Sequence, residues 1–358
     1  MKIAVGLSGG VDSAVAAALL KQQGHEVVGV FMKNWSDDFG IEGDCPWEED
    51  LKSAREVADH IGIEFLSYNF ELEYRKRVIE YFFAEYKSGR TPNPDILCNS
   101  EIKFNVFRKK VFHELGVDKI ATGHYARVVY DRGIYRLLKG IDQNKDQSYF
   151  LCRLSQEELA NVEFPIGHLT KPQVRKIAAE LGLPNAYRKD SQGICFVGKI
   201  NVRTFIEKEL GKKKGKIIDI DSQKELGEHD GIWFYTIGQR QGMGLPGGPW
   251  FVVKKDPQTN TLFVAKGKDN PALFSREVYL RDIHVINPEF DKYTCASLQA
   301  EVSLRYRQKP SNALIILCRN SRDQTKLIFF EPQRAVAPGQ FGCIYMGDEV
   351  VASGIIEG

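Results

Sequence analysis

The sequence predicts an α/β protein in three parts. A parallel-sheet domain spans residues 1–200, and two small β-rich domains follow at 201–275 and 276–358, the last a β-barrel. Three observations carry this. Strand-length apolar runs alternate with helical stripes through the first half. A glycine-rich turn, "SGGVDS" (8–13), joins the first strand to the first helix. After about residue 200 the helical periodicity gives way to short β-like runs punctuated by Gly, Pro and Asn. A chain of 358 residues, 43% hydrophobic and 27% charged, has material for two or three soluble cores.

In order, "KIAVGL" (2–7) predicts a short buried strand, and Val11, Ala14, Val15, Ala18 and Leu19 a helical stripe ending at Gly24. "EVVGVFM" (26–32) predicts the second strand, followed by an acidic, Trp-bearing loop, "DDFGIEGDCPWEED" (37–50). Leu51, Ala54, Val57, Ala58 and Ile61 mark a helix, and "EFLSYNF" (64–70) a strand. Residues 71–88 and 100–115 read as helices and "KIATGH" (119–124) as a strand, then "ARVVYDRGIYRLLKG" (126–140) as an inserted hairpin. Helices are expected near 156–161 and 171–182. Alternation of this kind implies a parallel sheet covered on both faces. Beyond 200, "GKIIDI", "GIWFYTIG", "PWFVVKKD" and "TLFVAKG" read as strands of one β domain. "EVYLRDIHVI", "SLQAEVSLRY", "NALIILC", "TKLIFF" and "QFGCIYMGDEVVASGII" read as strands of the other.

Charge narrows the function little: 49 Lys+Arg against 47 Asp+Glu leave a net +2. "KKKGK" (212–216) and "LRYRQK" (304–309) are candidate phosphate contacts, with a solvated surface the favoured reading of the lysine run. Seven cysteines (45, 98, 152, 195, 295, 318, 343) include no C-x-x-C pair, which disfavours a zinc ribbon or an iron–sulfur cluster. Cys152, Cys318 and Cys343 sit among apolar residues and read as packing cysteines, Cys45 lies in an acidic loop, and Cys295 has no distinguishing context. Cys98 and Cys195 remain as candidates for chemistry. The chain enters its first strand without a signal or transit segment, and no apolar run approaches a membrane span, so a cytoplasmic enzyme is expected.

"GLSGGVDS" (6–13) turns backbone amides outward at a helix N-terminus, where the dipole favours an anion. It lacks the Walker lysine and the dinucleotide G-x-G-x-x-G pattern. Asp12 inside such a loop would suit Mg2+ bridging phosphates. The rival reading is a plain glycine turn with Ser8 as N-cap. "RTPNPDILCNS" (90–100) holds Asp95 and Cys98 on a proline-stiffened loop that turns helical at about Asn99. A thiol near a helix start favours the thiolate; a capping role is the rival reading for Asp95.

"SGGVDS" directly after a first strand resembles the pyrophosphate loop of the N-type ATP pyrophosphatases, the PP-loop or adenine nucleotide α-hydrolase-like superfamily. Within it the resemblance narrows. "GLSGGVDS", "FMKNW", "GRTPNPDILCN", "TGHYAR", "NKDQSYFL", "KPQVRKIA", "KDSQGICFVG", "TIGQRQGMGL" and "RYRQ" stand in the order of the bacterial tRNA 2-thiouridylase family, over nearly the whole chain. The resemblance implies that ATP adenylates the C2 oxygen of the wobble uridine in tRNAs for Lys, Glu and Gln. Sulfur then displaces AMP, giving 2-thiouridine, AMP and pyrophosphate.

Residue by residue, the resemblance implies ATP contacts at Gly6, Leu7, Ser8, Gly9, Gly10, Val11, Asp12, Ser13, Met32 and Gly123, with Mg2+ near Asp12. It implies Cys98 as nucleophile, Asp95 as general acid/base and Cys195 as carrier of a persulfide supplied by a sulfur-relay protein or cysteine desulfurase. A transient Cys98–Cys195 disulfide follows, which a reductant must reset. Implied tRNA contacts are Asn93, Pro94, Asp95, His124, Lys145, Asp146, Gln147, Arg305, Tyr306 and Gln340. Physically, Arg305 suits a phosphate and Tyr306 an unstacked base, with β-sheet core as the rival for Tyr306. Two alternatives compete: another adenylating ligase or amidotransferase of the superfamily, and a non-catalytic RNA-binding protein. No segment resembles a glutaminase, and tRNA-dependent pyrophosphate release separates the enzyme from the binder.

Overall fold

The computed structural model describes residues 1–36, 47–189, 201–293, 297–317 and 325–358, whose strands lie in three sheets. The first sheet takes β1 (Lys2–Gly6), β2 (Glu26–Lys33), β3 (Glu64–Asn69) and β4 (Lys119–Ala121). The hairpin β5 (Ala126–Asp131) and β6 (Ile134–Lys139) leaves this sheet, and β7 (Val162–Glu163) returns to it. The order is β3-β2-β1-β4-β7, and every pairing is parallel. Successive residues of β1 serve opposite cores. Ile3 and Val5 pack with Ala17, Leu20 and Ala58, whereas Ala4 packs with Val28, Ile102 and Phe104. That division is what a strand covered on both faces requires. Helix α1 (Val11–Gln22) lies close because its buried row is Ala14 to Ala18, and α2 (Trp47–Ile61) buries Ala54, Val57 and Ala58.

The second sheet holds β8 (Gly215–Asp219), β9 (Glu225–His229), β10 (Trp250–Asp256) and β11 (Thr261–Lys266), ordered β10-β11-β8-β9. "GIWFYTIG" is not a strand of it. Residues Ile232–Phe234 form a 3-10 turn, with Phe234 N donating to Gly231 O and Tyr235 N to Ile232 O. The run is apolar because Ile232, Trp233, Phe234 and Tyr235 all enter the core from that tight turn, which satisfies its own backbone groups. In the lysine run, Lys212, Lys214 and Lys216 are exposed and ion-paired with Glu207, Glu228 and Glu225, a solvated face as expected.

The third sheet begins with β12 (Phe274–Val285), β13 (Ser297–Ser303) and β14 (Ser311–Leu317). It is completed by β15 (Thr325–Arg334), β16 (Phe341–Met346) and β17 (Glu349–Ile356). The antiparallel order β12-β15-β14-β13-β16-β17 closes through β12–β17 into a barrel, which abolishes its edges. Alternate residues such as Val278, Leu280, Val302, Ile315, Leu327 and Ile344 fill its interior. Cys152 and Cys343 are fully buried, as expected of packing cysteines; Cys45, Cys295 and Cys318 lie outside the described residues. No described helix is long and apolar enough to cross a membrane.

The hairpin expected at 126–140 forms, but its role emerges only in three dimensions. β6 pairs with β17, at Leu138↔Glu349 and Leu137↔Val350, so the first domain extends the barrel's own sheet. Arg136 bolts this junction, reaching Glu349 at 2.9 Å, Glu289 at 3.1 Å and Asp131 at 3.3 Å. Arg136→Met strands two barrel carboxylates. It is expected to lower stability by about 1–2 kcal/mol, between the values for surface and buried pairs, and to shift the urea midpoint with it.

Candidate functional site

The loop from β1 to α1 lies at the carboxyl end of the parallel strands, where open α/β sheets hold their ligands. Gly10, not Ser8, is the N-cap of α1, and it makes no side-chain capping bond. Ser8 instead braces the loop: its Oγ accepts from Gly10 N at 3.4 Å and pairs with Ser13 Oγ at 3.3 Å. Gly9 adopts φ +76°, a left-handed conformation that glycine takes without strain. Gly123, past the end of β4, is needed for close approach: a Cβ there would lie 2.5 Å from Ser13 N. Met32 is buried at the end of β2, two residues before Asn34, whose side-chain amide is buried with no hydrogen-bond partner.

Asp12 lies on the first turn of α1. Its carboxylate accepts from Lys171 Nζ at 2.8 and 2.9 Å and from the Tyr125 hydroxyl at 2.8 Å. The Gly9 carbonyl accepts from Ser53 Oγ (2.9 Å), Asn185 Nδ2 (2.9 Å) and Arg188 Nη1 (3.1 Å). Arg188 also pairs with Asp50 on the first turn of α2, whose carboxyl burial pushes upward against the pull of that guanidinium. Two cations therefore face the glycine loop, each held by a carboxylate.

Sequence reasoning gave none of Lys171, Arg188, Asn185, Asp50, Ser53 or Tyr125 a role. One signal was present: Lys171 opens the helix Lys171–Glu180, where a cation opposes the helix dipole. Asp142 accepts its backbone N–H at 2.8 Å, and Asp12 its ammonium.

The stretch "RTPNPDILCNS" is helical earlier than expected. Asn93 is the N-cap, its side chain accepting from Ile96 N at 3.3 Å, and Pro94 takes the first helical position, where its missing N–H costs nothing. Asp95 and Cys98 thus lie on the helix Pro94–Leu97 and its continuation, not on a loop before it. At Cys98 the winding loosens into a π-helix, Cys98–Phe107, a rare geometry found at functional sites. Cys98 is 0% exposed and Asp95 half-buried.

The C-terminal barrel clamps the approach to this helix. Gln340 Nε2 donates to the carbonyls of Thr91 (2.9 Å) and Pro92 (3.0 Å), and Thr91 N donates to Pro338 O at 2.7 Å. Asn93 Nδ2 reaches Gln340 Oε1 at 3.5 Å. Asn93, Pro94, Asp95 and Gln340, expected separately as RNA contacts, are one assembly.

The other expected RNA contacts divide. Asp146 accepts from Gly140 N and Ser148 N, and Gln147 from Tyr125 N, so both brace the turn that carries Lys145. Arg305 is exposed. Tyr306 is half-buried, its ring tilted 40° against Phe150 with ring centroids 4.2 Å apart. Cys195 lies within 190–200, outside the described residues, so its distance from Cys98 is not part of this geometry.

His124 is buried between Phe104 and Phe164, its Nδ1 2.7 Å from Thr122 Oγ1. Burial holds its pKa well below 6.5, and burial also lowers those of His229 and His284. Below pH 6.5 the unfolded chain binds protons that the folded rings refuse, so stability falls as pH falls, by up to about 1.4 kcal/mol per pH unit for the fully buried His124 until it titrates. The urea midpoint is expected to drop between pH 6.5 and 5.5, and less steeply in His124→Phe.

A parallel sheet whose first strand delivers "SGGVDS" to a helix N-terminus, in a chain that also carries a carboxylate and a thiol on a capped helix, defines a PP-loop-type nucleotide-binding protein with two β domains appended. Three family models match in succession: "tRNA methyl transferase HUP domain" over residues 1–199, "tRNA methyl transferase PRC-barrel domain" over 203–266 and "Aminomethyltransferase beta-barrel domain" over 275–356. The tRNA-specific 2-thiouridylase MnmA of Streptococcus mutans is 48% identical over 99% of this chain and 95% of its own length. A Streptococcus thermophilus protein of the same name is 47% identical over the same shares. The chain belongs to the MnmA family of tRNA-specific 2-thiouridylases. Among solved structures, a 4-thiouridine synthetase–RNA complex with bound ATP overlaps 58% of this chain and 50% of its own, at 20% identity and a TM-score of 0.34, too slight to argue from.

Proposed function

We propose that this protein is a cytoplasmic tRNA sulfurtransferase that uses ATP to convert the wobble uridine of tRNAs for Lys, Glu and Gln to 2-thiouridine. The observation that carries the reading is the glycine loop at the start of α1 together with the capped Asp95–Cys98 helix, in a chain that matches MnmA proteins over 99% of its length. Residues 1–200 are the catalytic domain, and 201–275 and 276–358 hold the anticodon arm.

Gly6 to Ser13, Met32 and Gly123 bind ATP, and Lys171 and Arg188 meet its phosphates. Asp12 would help to hold Mg2+ brought in with ATP, and the ion would supply charge neutralisation for the departing pyrophosphate. The uridine C2 oxygen attacks the α-phosphorus, pyrophosphate leaves, and Asp95 takes the proton that N3 gives up as the C2 oxygen is adenylated.

Cys195 carries the sulfur as a persulfide from a sulfur-relay protein or cysteine desulfurase. In one route the Cys98 thiolate attacks Cys195 Sγ, freeing hydrosulfide to displace AMP at C2. In the other the terminal sulfur displaces AMP first, and Cys98 then cleaves the resulting C2–S–S–Cys195 link. Both end in a Cys98–Cys195 disulfide, which a dithiol reductant returns to two thiols.

The test is incubation with ATP, magnesium, unmodified tRNA for Glu and a persulfide-generating cysteine desulfurase, followed by mass spectrometry of the anticodon nucleosides. A sulfur-for-oxygen gain at the wobble uridine supports the reading. A methyl gain on supplying a methyl donor, the activity named in two of the domain descriptions, would replace it. No gain and no tRNA-dependent pyrophosphate release would sink it.

A further inference from the structure

We propose that Arg240, on the glycine-rich loop of the middle β domain, binds a backbone phosphate of the anticodon loop near the target base, an inference that rests on the thiouridylase reading above. The loop carries "TIGQRQGMGL", a stretch of the family resemblance that the chemistry above does not use. Its first half is fixed. Thr236 N donates to Gln239 Oε1 at 3.0 Å, Gly238 N to Val252 O at 2.8 Å, and Gln239 Nε2 to Gln241 O at 2.8 Å. The residues on either side of Arg240 are therefore held, while Arg240 itself is exposed.

Both flanking domains meet this loop. Thr91, four residues before Asp95, donates from its Oγ1 to Thr236 Oγ1 at 3.3 Å. Gly238, with φ +86°, lies so close to the barrel that a Cβ there would collide with that of Ala335. Two residues before Ala335, Gln333 Oε1 accepts from Gln308 Nε2 at 2.9 Å. Gln308 N donates in turn to Arg305 O at 3.2 Å, closing the turn that exposes Arg305, Arg307 and Lys309. That basic turn is thus joined through Gln333 and Ala335 to the Arg240 loop, and through Thr91 to the approach of the Asp95–Cys98 helix. Arg240 and Asp95 each stand four residues from the Thr91–Thr236 contact, within about 14 Å of chain.

Among the described residues no carboxylate pairs with Arg240, Arg305, Arg307 or Lys309, whereas Lys212, Lys214 and Lys216 of the lysine run each hold a glutamate. Cations without counter-ions along one seam set up a positive field that suits a polyanion. Arginine fits the task, since its planar fork can donate two parallel bonds to one phosphate.

The test is fluorescence anisotropy of labelled, unmodified tRNA for Glu with wild type, Arg240→Ala, Arg240→Lys and Lys214→Ala, repeated from about 50 to 200 mM salt. Arg240→Ala is expected to weaken binding roughly 5- to 30-fold at low salt. It should also lower the slope of log K against log salt by about 0.7, the value of one phosphate contact on a single strand. Arg240→Lys should keep the slope and recover part of the affinity, because the charge remains and the fork is lost. Lys214→Ala, whose ammonium is already paired, should change neither. Unchanged affinity in Arg240→Ala overturns the proposal. So does weaker binding with an unchanged slope, which would mean that the side chain supports the loop and holds no phosphate. An equal loss in Lys214→Ala overturns it too, by spreading the attraction over the whole domain. A wild type that does not bind tRNA overturns the thiouridylase reading itself, and this inference with it.

Discussion

Cys195→Ser is expected to release pyrophosphate in a tRNA-dependent manner at near wild-type rate while incorporating no sulfur. In the proposed mechanism the two halves of the reaction use different groups: adenylation would need the glycine loop, its cations and Asp95, and only sulfur delivery would need the thiols. Cys98→Ser is expected to share the phenotype, with thiolation down at least about 1000-fold, because a serine oxygen at neutral pH is neither a comparable nucleophile nor able to accept a disulfide. Asp95→Asn is expected to do the opposite, slowing pyrophosphate release itself by roughly 100- to 10,000-fold if Asp95 handles the proton as proposed. Pyrophosphate release and nucleoside mass, measured on the same three variants, check this. Loss of both halves in Cys195→Ser would mean that the residue supports the fold rather than carries sulfur.

Asp12→Asn is expected to abolish most ATP-dependent chemistry and to destabilise the protein as well. In the free protein the Asp12 carboxylate neutralises the Lys171 ammonium, whose side chain is only 11% exposed, and holds the Tyr125 hydroxyl. Removing the charge takes away the carboxylate that pairs with this largely buried ammonium. The full cost of breaking a buried pair is tempered by the partial exposure of Asp12, so about 2 kcal/mol is expected. Catalysis loses more, roughly 100- to 1000-fold in pyrophosphate release, because the loop can no longer set Lys171 and a magnesium ion against the phosphates. Asp12→Asn combined with Lys171→Met separates the two effects. The double variant should regain most of the lost stability, since both charges are gone, yet stay inactive. A double variant that regained activity would remove Lys171 and Asp12 from the phosphate site.

Much of the catalytic half was legible in the sequence because its signals are local. Gly9 shows that the loop tolerates a left-handed residue, and the alanine row of α1 shows that the helix packs close to the sheet. The helix at Asn93 was readable too, and reading it as a loop until Asn99 underweighted Asn-Pro as a cap followed by a first helical residue. "GIWFYTIG" misled for the opposite reason: its apolar residues meet the criterion for a buried strand, and only the absence of a pairing partner makes it a turn.

By itself, then, the sequence determined most of the order of elements, the alternation that makes a doubly covered sheet, the phosphate-type loop and the close spacing of Asp95 and Cys98. These depend on residues a few positions apart, where steric and hydrogen-bonding preferences act directly. The tertiary structure alone decided that Lys171 meets Asp12 across 159 positions, that Gln340 holds Thr91 across 249, and that β6 joins the barrel's sheet. Contacts of that range are chosen by how whole layers pack. No local preference encodes them, because the chain between the partners must already be folded before they can meet.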